Sequence, residues 1–174
     1  VSRGDLVLTD LGYFRVGTFR QYHQKGVFFL SRFLAGTTLY CATTEERLDL
    51  SGMLRACDAN VLDRPVILAN RESEQTPCRL ICLRVSEAVA NQRRRKLRQK
   101  AKKQGRIPPQ AALALCDWML LITNIPAPDL PAIQAYHLYG LRWQIELLFK
   151  QLKSILRIHP RCARTKCYRS DHKP

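Results

Sequence analysis

The sequence has few acidic residues and no long apolar run. Asp and Glu number 14 against 29 Lys and Arg, which gives a formal net charge of +15 at pH 7. The longest apolar runs, such as residues 118–122, fall far short of the ~20 residues that a membrane-spanning helix needs. The first residues are polar, so no signal peptide is expected. These features predict a soluble, intracellular, strongly basic protein, whose positive charge requires a polyanion or a membrane surface as its partner.

The seven cysteines are odd in number and include no Cys-x2-Cys pair. This excludes the tightly spaced disulfide framework of small secreted proteins and favours reduced thiols. His159, Cys162, Cys167 and His172 have ligand types that zinc accepts, but their order and spacing match no common structural zinc module. A zinc site there is the less favoured interpretation.

The pattern of apolar residues predicts an α/β fold. A strand is expected over residues 5–9 and ends at Asp10, a short helix over 14–25, and a second strand over 26–33. From residue 35 to about 83, short β-like runs alternate with polar turns, which is typical of a β-rich insertion. A buried strand is expected over 118–124, and a long helix over 131–158. With 46% hydrophobic residues, the chain has enough apolar material for a packed core.

Residues 93–106 carry nine positive charges in fourteen positions and begin with Arg93, Arg94, Arg95 and Lys96. The composition favours a helix that ends at Gly105 and Pro108. Such a run is often a solvated helix face. Here the cations occur on every side and no acid lies between residues 88 and 116. A phosphate-binding surface is therefore the preferred interpretation.

The last helix carries two stripes at steps of three and four residues. The apolar seam, expected to face the core, comprises Leu138, Leu141, Ile145, Leu148, Leu152 and Ile155. The polar stripe comprises Tyr139, Arg142, Glu146, Lys150, Lys153 and Arg157. The polar stripe has two interpretations: ordinary salt bridges along the helix, or one carboxylate set among phosphate-binding cations.

The polar stripe resembles a known signature. Tyr139-x2-Arg142-x3-Glu146-x6-Lys153 is similar to the Y-x2-R-x3-E-x6-K signature of insertion-sequence DDE transposases of the IS-four type. Asp10, followed by Gly12-Tyr13, resembles that family's second motif, an Asp at a strand end. Arg32 and the strand over residues 120–126 also fit. The resemblance extends over residues 4–158.

The resemblance implies a ribonuclease-H-like core that is incomplete because its first strand is missing, interrupted by a β-rich insertion. The implied parts are residues 1–34 as core, 35–117 as the insertion with its basic segment 93–106, 118–158 as the last core strand and catalytic helix, and 159–174 as an irregular tail.

The resemblance also implies metal-dependent cleavage and strand transfer of DNA at the terminal inverted repeats of an insertion sequence. Three carboxylates would hold two Mg²⁺ or Mn²⁺ ions, with Asp10 as the second acid and Glu146 as the third. Arg142, Lys153, Lys150 and Tyr139 would contact DNA. The resemblance further implies that the full-length protein acts as a homodimer on DNA, without a membrane partner, in the prokaryotic cytoplasm and associated with the nucleoid. Trp118 is a candidate for stacking on an unpaired base, although a place in the core is the preferred interpretation.

The first catalytic Asp of the family has no counterpart among these residues. Only nine residues precede Asp10, and the side chain of Asp5 is expected on the other face of the same strand. The sequence therefore predicts a transposase fragment that is inactive alone. The alternatives are a non-catalytic basic DNA-binding protein or transposase remnant, and a basic α/β domain whose helix stripe is only salt-bridged surface.

Overall fold

A computed structural model describes residues 1–69 and 75–156. The tail at 159–174, with the four weighed zinc ligands, lies outside the described residues. The described strands and α-helices are β1 (Leu6–Thr9), α1 (Val16–Gln24), β2 (Phe28–Arg32), β3 (Thr38–Cys41), α2 (Leu50–Arg55), β4 (Val61–Ala69), β5 (Gln75–Arg84), α3 (Glu87–Lys103), α4 (Gln110–Ala114), β6 (Trp118–Thr123) and α5 (Ala132–Ile155). No described helix is both long enough and apolar enough to cross a membrane.

The six described strands form one sheet in the order β1-β2-β6-β5-β4-β3. β1 pairs with β2 in parallel, and the other neighbouring pairs are antiparallel. The α/β class predicted from the sequence is therefore confirmed. Strands β3, β4 and β5, which fall in the predicted insertion, hydrogen-bond into the same sheet as β1, β2 and β6. The division into core and insertion stays a prediction.

Both faces of the sheet are covered by apolar side chains. On one face, Phe19 from α1 stacks on Phe29 of β2 with ring centroids 4.5 Å apart, beside the buried Leu80 and Ile122. On the other face, Leu30 and Leu121 pack with Ala135 and Tyr139 from the first half of α5. Strands buried on both faces explain why β2 and β6 appear as nearly continuous apolar runs in the sequence.

Two polar side chains secure the end of β6 to β2. The hydroxyl of Thr123 donates to the carbonyl of Phe29 at 2.6 Å. The side chain of Asn124 accepts from the amide of Phe29 at 2.8 Å and donates to the carbonyl of Val27 at 2.9 Å. These bonds satisfy backbone groups where the antiparallel ladder ends, so the turn that leads to α5 begins from a fixed point.

The chain divides into two compact units, residues 1–140 and residues 141–174. The first contains the whole sheet and the start of α5. In the second, residues 141–156 are described, and they continue α5 to Ile155.

Candidate active site

Asp10 lies at the carboxyl end of β1, where the two parallel strands end together. Thr9 of β1 pairs with Ser31 of β2. The next residue on each strand, Asp10 and Arg32, therefore lies at the same end of the sheet. The Oδ1 atom of Asp10 accepts a hydrogen bond of 2.7 Å from the amide of Leu11 and caps the 3-10 turn over Leu11–Tyr13. This bond orients the carboxylate, because a capped turn fixes the residue that caps it.

Two guanidinium groups line a cavity beside Leu11, the residue that follows Asp10. This cavity of about 390 Å³ is lined by Leu11, Arg32, Arg93 and Trp118, among others. The Nη1 atom of Arg93 donates to the carbonyl of Trp118 at 2.8 Å. Burial, and then the nearby charge of Arg32, lowers the pKa of Arg93. The cavity thus carries two cations, a charge suited to binding a phosphate group.

Trp118 is a core residue. Its exposed fraction is 3%, and the guanidinium carbon of Arg84 lies 4.5 Å from the centroid of its ring. A platform for base stacking requires an open ring face. The structure therefore agrees with the preferred interpretation of Trp118 as core packing rather than with its alternative role in DNA binding.

The structure divides the predicted DNA-binding residues of the basic segment into two groups. Arg93 and Arg94 are half-buried anchors, since Arg94 forms an ion pair with Asp117 just before β6. Arg95 and Lys96 are exposed on α3. The second pair is therefore the more exposed to solvent.

Tyr139 is 5% exposed, and its hydroxyl donates to the carbonyl of Thr9 at 3.3 Å. The first residue of the helix signature is therefore bonded to the residue that precedes Asp10. Direct contact between this ring and DNA, as expected from the resemblance, does not fit its buried position.

The remaining signature residues lie in the unit that begins at Leu141. Arg142 and Glu146 form an ion pair four residues apart, with side-chain exposures of 17% and 40%. Lys150 and Lys153 are exposed, and the ammonium of Lys150 lies 5.6 Å from the ring centroid of Trp143. The structure thus contains one of the salt bridges that the first interpretation of this stripe expected, between Arg142 and Glu146. It leaves open a further role for Glu146, since a carboxylate has several acceptor positions.

The prediction that the apolar seam of this helix faces the core is wrong beyond Gly140. Leu141, Ile145, Leu148, Leu152 and Ile155 are between 41% and 74% exposed. The less exposed stripe is instead that of Ala135, Tyr139, Arg142 and Glu146. The period of the helix is as predicted, but the less exposed residues are those of the signature.

Sequence reasoning missed Arg79, which hydrogen-bonds the segment between β6 and α5. Its guanidinium bonds both carboxylate oxygens of Asp63, at 3.0 and 2.5 Å, and donates to the carbonyls of Ile125 and Leu130 at 2.6 and 3.1 Å. Arg79 is only 9% exposed. The available signal was an arginine within the otherwise apolar run of β5.

Among residues 1–69 and 75–156, no three His, Cys, Asp or Glu side chains cluster in a way that would hold a metal ion. Carboxylate oxygen is nevertheless the ligand type that Mg²⁺ and Mn²⁺ prefer, and Asp10 presents it at a strand end.

Comparison with known proteins decides the family. The family model for the transposase DDE domain matches residues 1–166. The chain belongs to the DDE transposase family. The signature predicted a DDE transposase of the IS-four type. This prediction is confirmed by the family match and by relatives that are insertion-sequence transposases.

A transposase for insertion sequence element IS231F from Bacillus thuringiensis subsp. israelensis is 26% identical over 170 residues, covering 89% of this chain and 36% of the relative. A transposase for element IS231C from Bacillus thuringiensis subsp. berliner is 29% identical over 171 residues, covering 90% and 36%. The putative transposase InsL for element IS186A from Escherichia coli K12 is 32% identical over 117 residues, covering 64% and 32%. This DDE transposase chain thus spans about a third of the length of these relatives. No solved structure matches it.

Proposed function

We propose that this chain is part of the catalytic domain of an insertion-sequence transposase, which cuts DNA at the element's terminal inverted repeats and transfers the strand. The single observation that carries the proposal is the bond between Tyr139 and the carbonyl of Thr9. It joins the signature helix to the strand end that holds Asp10, and Asp10 is one of two acids that the family motif picks out.

In this proposal Asp10 and Glu146 are metal-binding acids of a ribonuclease-H-like core, with residues 1–34 and 118–158 as core and 35–117 as an insertion. Bound divalent metal would activate the attacking oxygen and stabilise the leaving one. The acids of the described residues do not complete a three-carboxylate site. The chain's own contribution is therefore a fixed carboxylate at Asp10, a carboxylate at Glu146 held by Arg142, and cations that bind phosphate.

Tyr139 acts in this proposal as a positioning residue, and Arg142, Lys150 and Lys153 contact the DNA backbone. Arg32 and Arg93 bind a phosphate at the sheet edge beside Asp10. The 174 residues alone bind DNA without cutting it, because they supply only two of the three acids. The full-length protein acts as a homodimer on DNA ends.

The test is DNA cleavage by the protein encoded by the entire reading frame that contains these residues. With Mg²⁺ or Mn²⁺, it should nick a plasmid that carries the ends of the same element. Asp10→Asn and Glu146→Gln should each reduce nicking by at least about a hundredfold, because a metal-binding acid acts on the transition state.

Asp5→Asn and Glu46→Gln are matched controls. Each replaces a carboxylate by an amide, as the test variants do, and both residues are exposed. They should leave nicking within about twofold of the parent. Retained cleavage in Glu146→Gln would contradict the assignment of the third acid.

A further inference from the structure

Helix α3 presents six exposed cations as two rows along its outer surface. With 3.6 residues per turn, residues three and four positions apart lie on one side of a helix. The first cation row comprises Arg95, Arg98 and Lys102, and the second cation row comprises Lys96, Lys100 and Lys103. All six are exposed, and none has an ion-pair partner among the described residues.

A neutral stripe runs between the two rows. Gln92 and Gln99 are seven residues apart, so they lie on the same line of the helix, and both are exposed. At 100° per residue, this glutamine stripe lies between the cation rows, about 75–80° from the first and about 55–60° from the second.

The opposite side of α3 is attached to the protein. Ala90 and Ala101 are buried there, at 3% and 8% exposure. Arg93 and Arg94 bond the carbonyl of Trp118 and the carboxylate of Asp117. These contacts hold the helix at the start of β6, so the glutamine stripe is the line of α3 farthest from its attachment.

We propose that α3 lies lengthwise in the major groove of duplex DNA, with the cation rows on the phosphates of the two strands and Gln92 and Gln99 on base edges. A helix is ~10–12 Å across and the major groove is ~12 Å wide, so the dimensions agree. Phosphate chains border the groove on both sides, as the two rows border the stripe. Glutamine is the side chain whose amide pairs with the N6 and N7 atoms of adenine.

This arrangement assigns different roles to neighbouring residues. The six cations supply affinity that depends on salt and not on sequence. The two glutamines supply sequence preference. The inference rests on DNA as the partner in the proposed function, but not on Asp10 or Glu146, so binding and cleavage assays separate the two proposals.

The first test measures binding of the 174-residue chain to a 24-base-pair duplex at several salt concentrations. The triple variant Arg95→Gln, Arg98→Gln, Lys102→Gln should bind at least about tenfold more weakly, and the slope of log affinity against log salt should decrease by about 3. The matched control removes three exposed charges outside α3, by Arg15→Gln, Arg20→Gln and Lys25→Gln. An equal loss in the control would overturn the assignment of the rows.

The second test concerns base contacts. Duplexes selected by the chain from a random pool should share a base preference, and Gln92→Ala with Gln99→Ala should weaken that preference by about fivefold or more without changing the salt slope. A selection without preference would overturn the role of the glutamines. A chain that fails both tests while the longer protein still cuts DNA would contradict this inference alone.

The third test concerns the groove. Glucosylated 5-hydroxymethylcytosine fills the major groove, because the C5 position of pyrimidines faces it. A duplex made with this base should bind at least about tenfold more weakly than unmodified DNA of the same sequence, because the glucose would keep α3 out of the major groove. Equal binding, or equal binding of an RNA duplex, whose major groove is too narrow for a helix, would overturn the docking geometry.

Discussion

The hydroxyl of Tyr139 donates a hydrogen bond of 3.3 Å to the carbonyl oxygen of Thr9, across 130 residues of sequence. Thr9 is the last residue of β1, and Asp10 follows it. The contact therefore connects the helix that carries the family signature to the strand end that carries the candidate acid. It makes the tyrosine of the signature part of the scaffold beneath Asp10.

Replacement of Tyr139 by Phe should lower the free energy of unfolding by ~1 kcal/mol, because the buried hydrogen bond from its hydroxyl to the Thr9 carbonyl is lost. Urea unfolding of the 174-residue chain measures this change. Tyr136→Phe is the matched control, since that ring is 43% exposed, and it should change stability by less than about 0.5 kcal/mol. Equal stability of the two variants would show that the Tyr139 hydroxyl contributes nothing.

Arg79 is expected to be the most sensitive charged residue of the fold. Removal of one partner from a buried ion pair costs ~3–5 kcal/mol. Because Asp63 keeps 25% side-chain exposure, Arg79→Met should cost about 3 kcal/mol, near the lower limit of that range. The carbonyls of Ile125 and Leu130 would also lose their donor, so the segment before α5 should loosen first.

Two measurements check the role of Arg79. Urea unfolding gives the loss of stability, and hydrogen exchange should show faster exchange in residues 124–131 than elsewhere. Arg20→Met removes an exposed arginine from α1 and should leave both measurements unchanged. A stable variant with parent-like exchange would mean that the four bonds of Arg79 are dispensable.

The sequence predicted the local elements well because each has a local signal. β1, α1, β2 and β6 lie within a few residues of their expected places, and α5 begins next to the expected Pro131. The strand-end position of Asp10 was also predictable, since an apolar run ended at a polar residue. The pairing of β1 with β2 in parallel then brings Arg32 beside Asp10.

What the sequence did not predict depends on contacts distant along the chain. The period of α5 showed two stripes, but only tertiary packing decides that Ala135 and Tyr139, in its first half, lie against the sheet. Likewise, Arg93 and Arg94 look like their neighbours in the basic run, yet they bond to residues at the start of β6. The partner of Arg79 is fixed only when β4 and β5 pair.

Cys41 should be the most reactive thiol of the described residues. A hydrogen bond from the Thr43 side chain, and then further bonds from Thr43 and Thr44, lower the pKa of Cys41 to about 6. Burial raises the pKa of Cys78 and Cys82 to about 12. Because the thiolate is the reactive form, alkylation of Cys41 by iodoacetamide should accelerate from pH 5 to pH 7 and then level off.

Mass spectrometry of the alkylated chain identifies which cysteine reacts first. Thr43→Val removes the hydroxyl that lies 3.1 Å from the Cys41 sulfur, so it should shift the rise in rate toward higher pH. Rapid labelling of Cys78 or Cys82 at pH 7 would contradict the buried, protonated state of those thiols.

The two tryptophans should respond differently to solvent, and the difference tests the role of Trp118 in DNA binding. Trp118 is 3% exposed and Trp143 is 55% exposed. The Trp143→Phe variant, which retains only Trp118, should show blue-shifted fluorescence that acrylamide quenches weakly, because the indole is buried beneath Arg84. The Trp118→Phe variant should show the opposite behaviour. Addition of duplex DNA to Trp143→Phe should leave its emission unchanged, since a buried ring cannot stack on a base; strong quenching by DNA would instead show that Trp118 opens to a base when DNA binds.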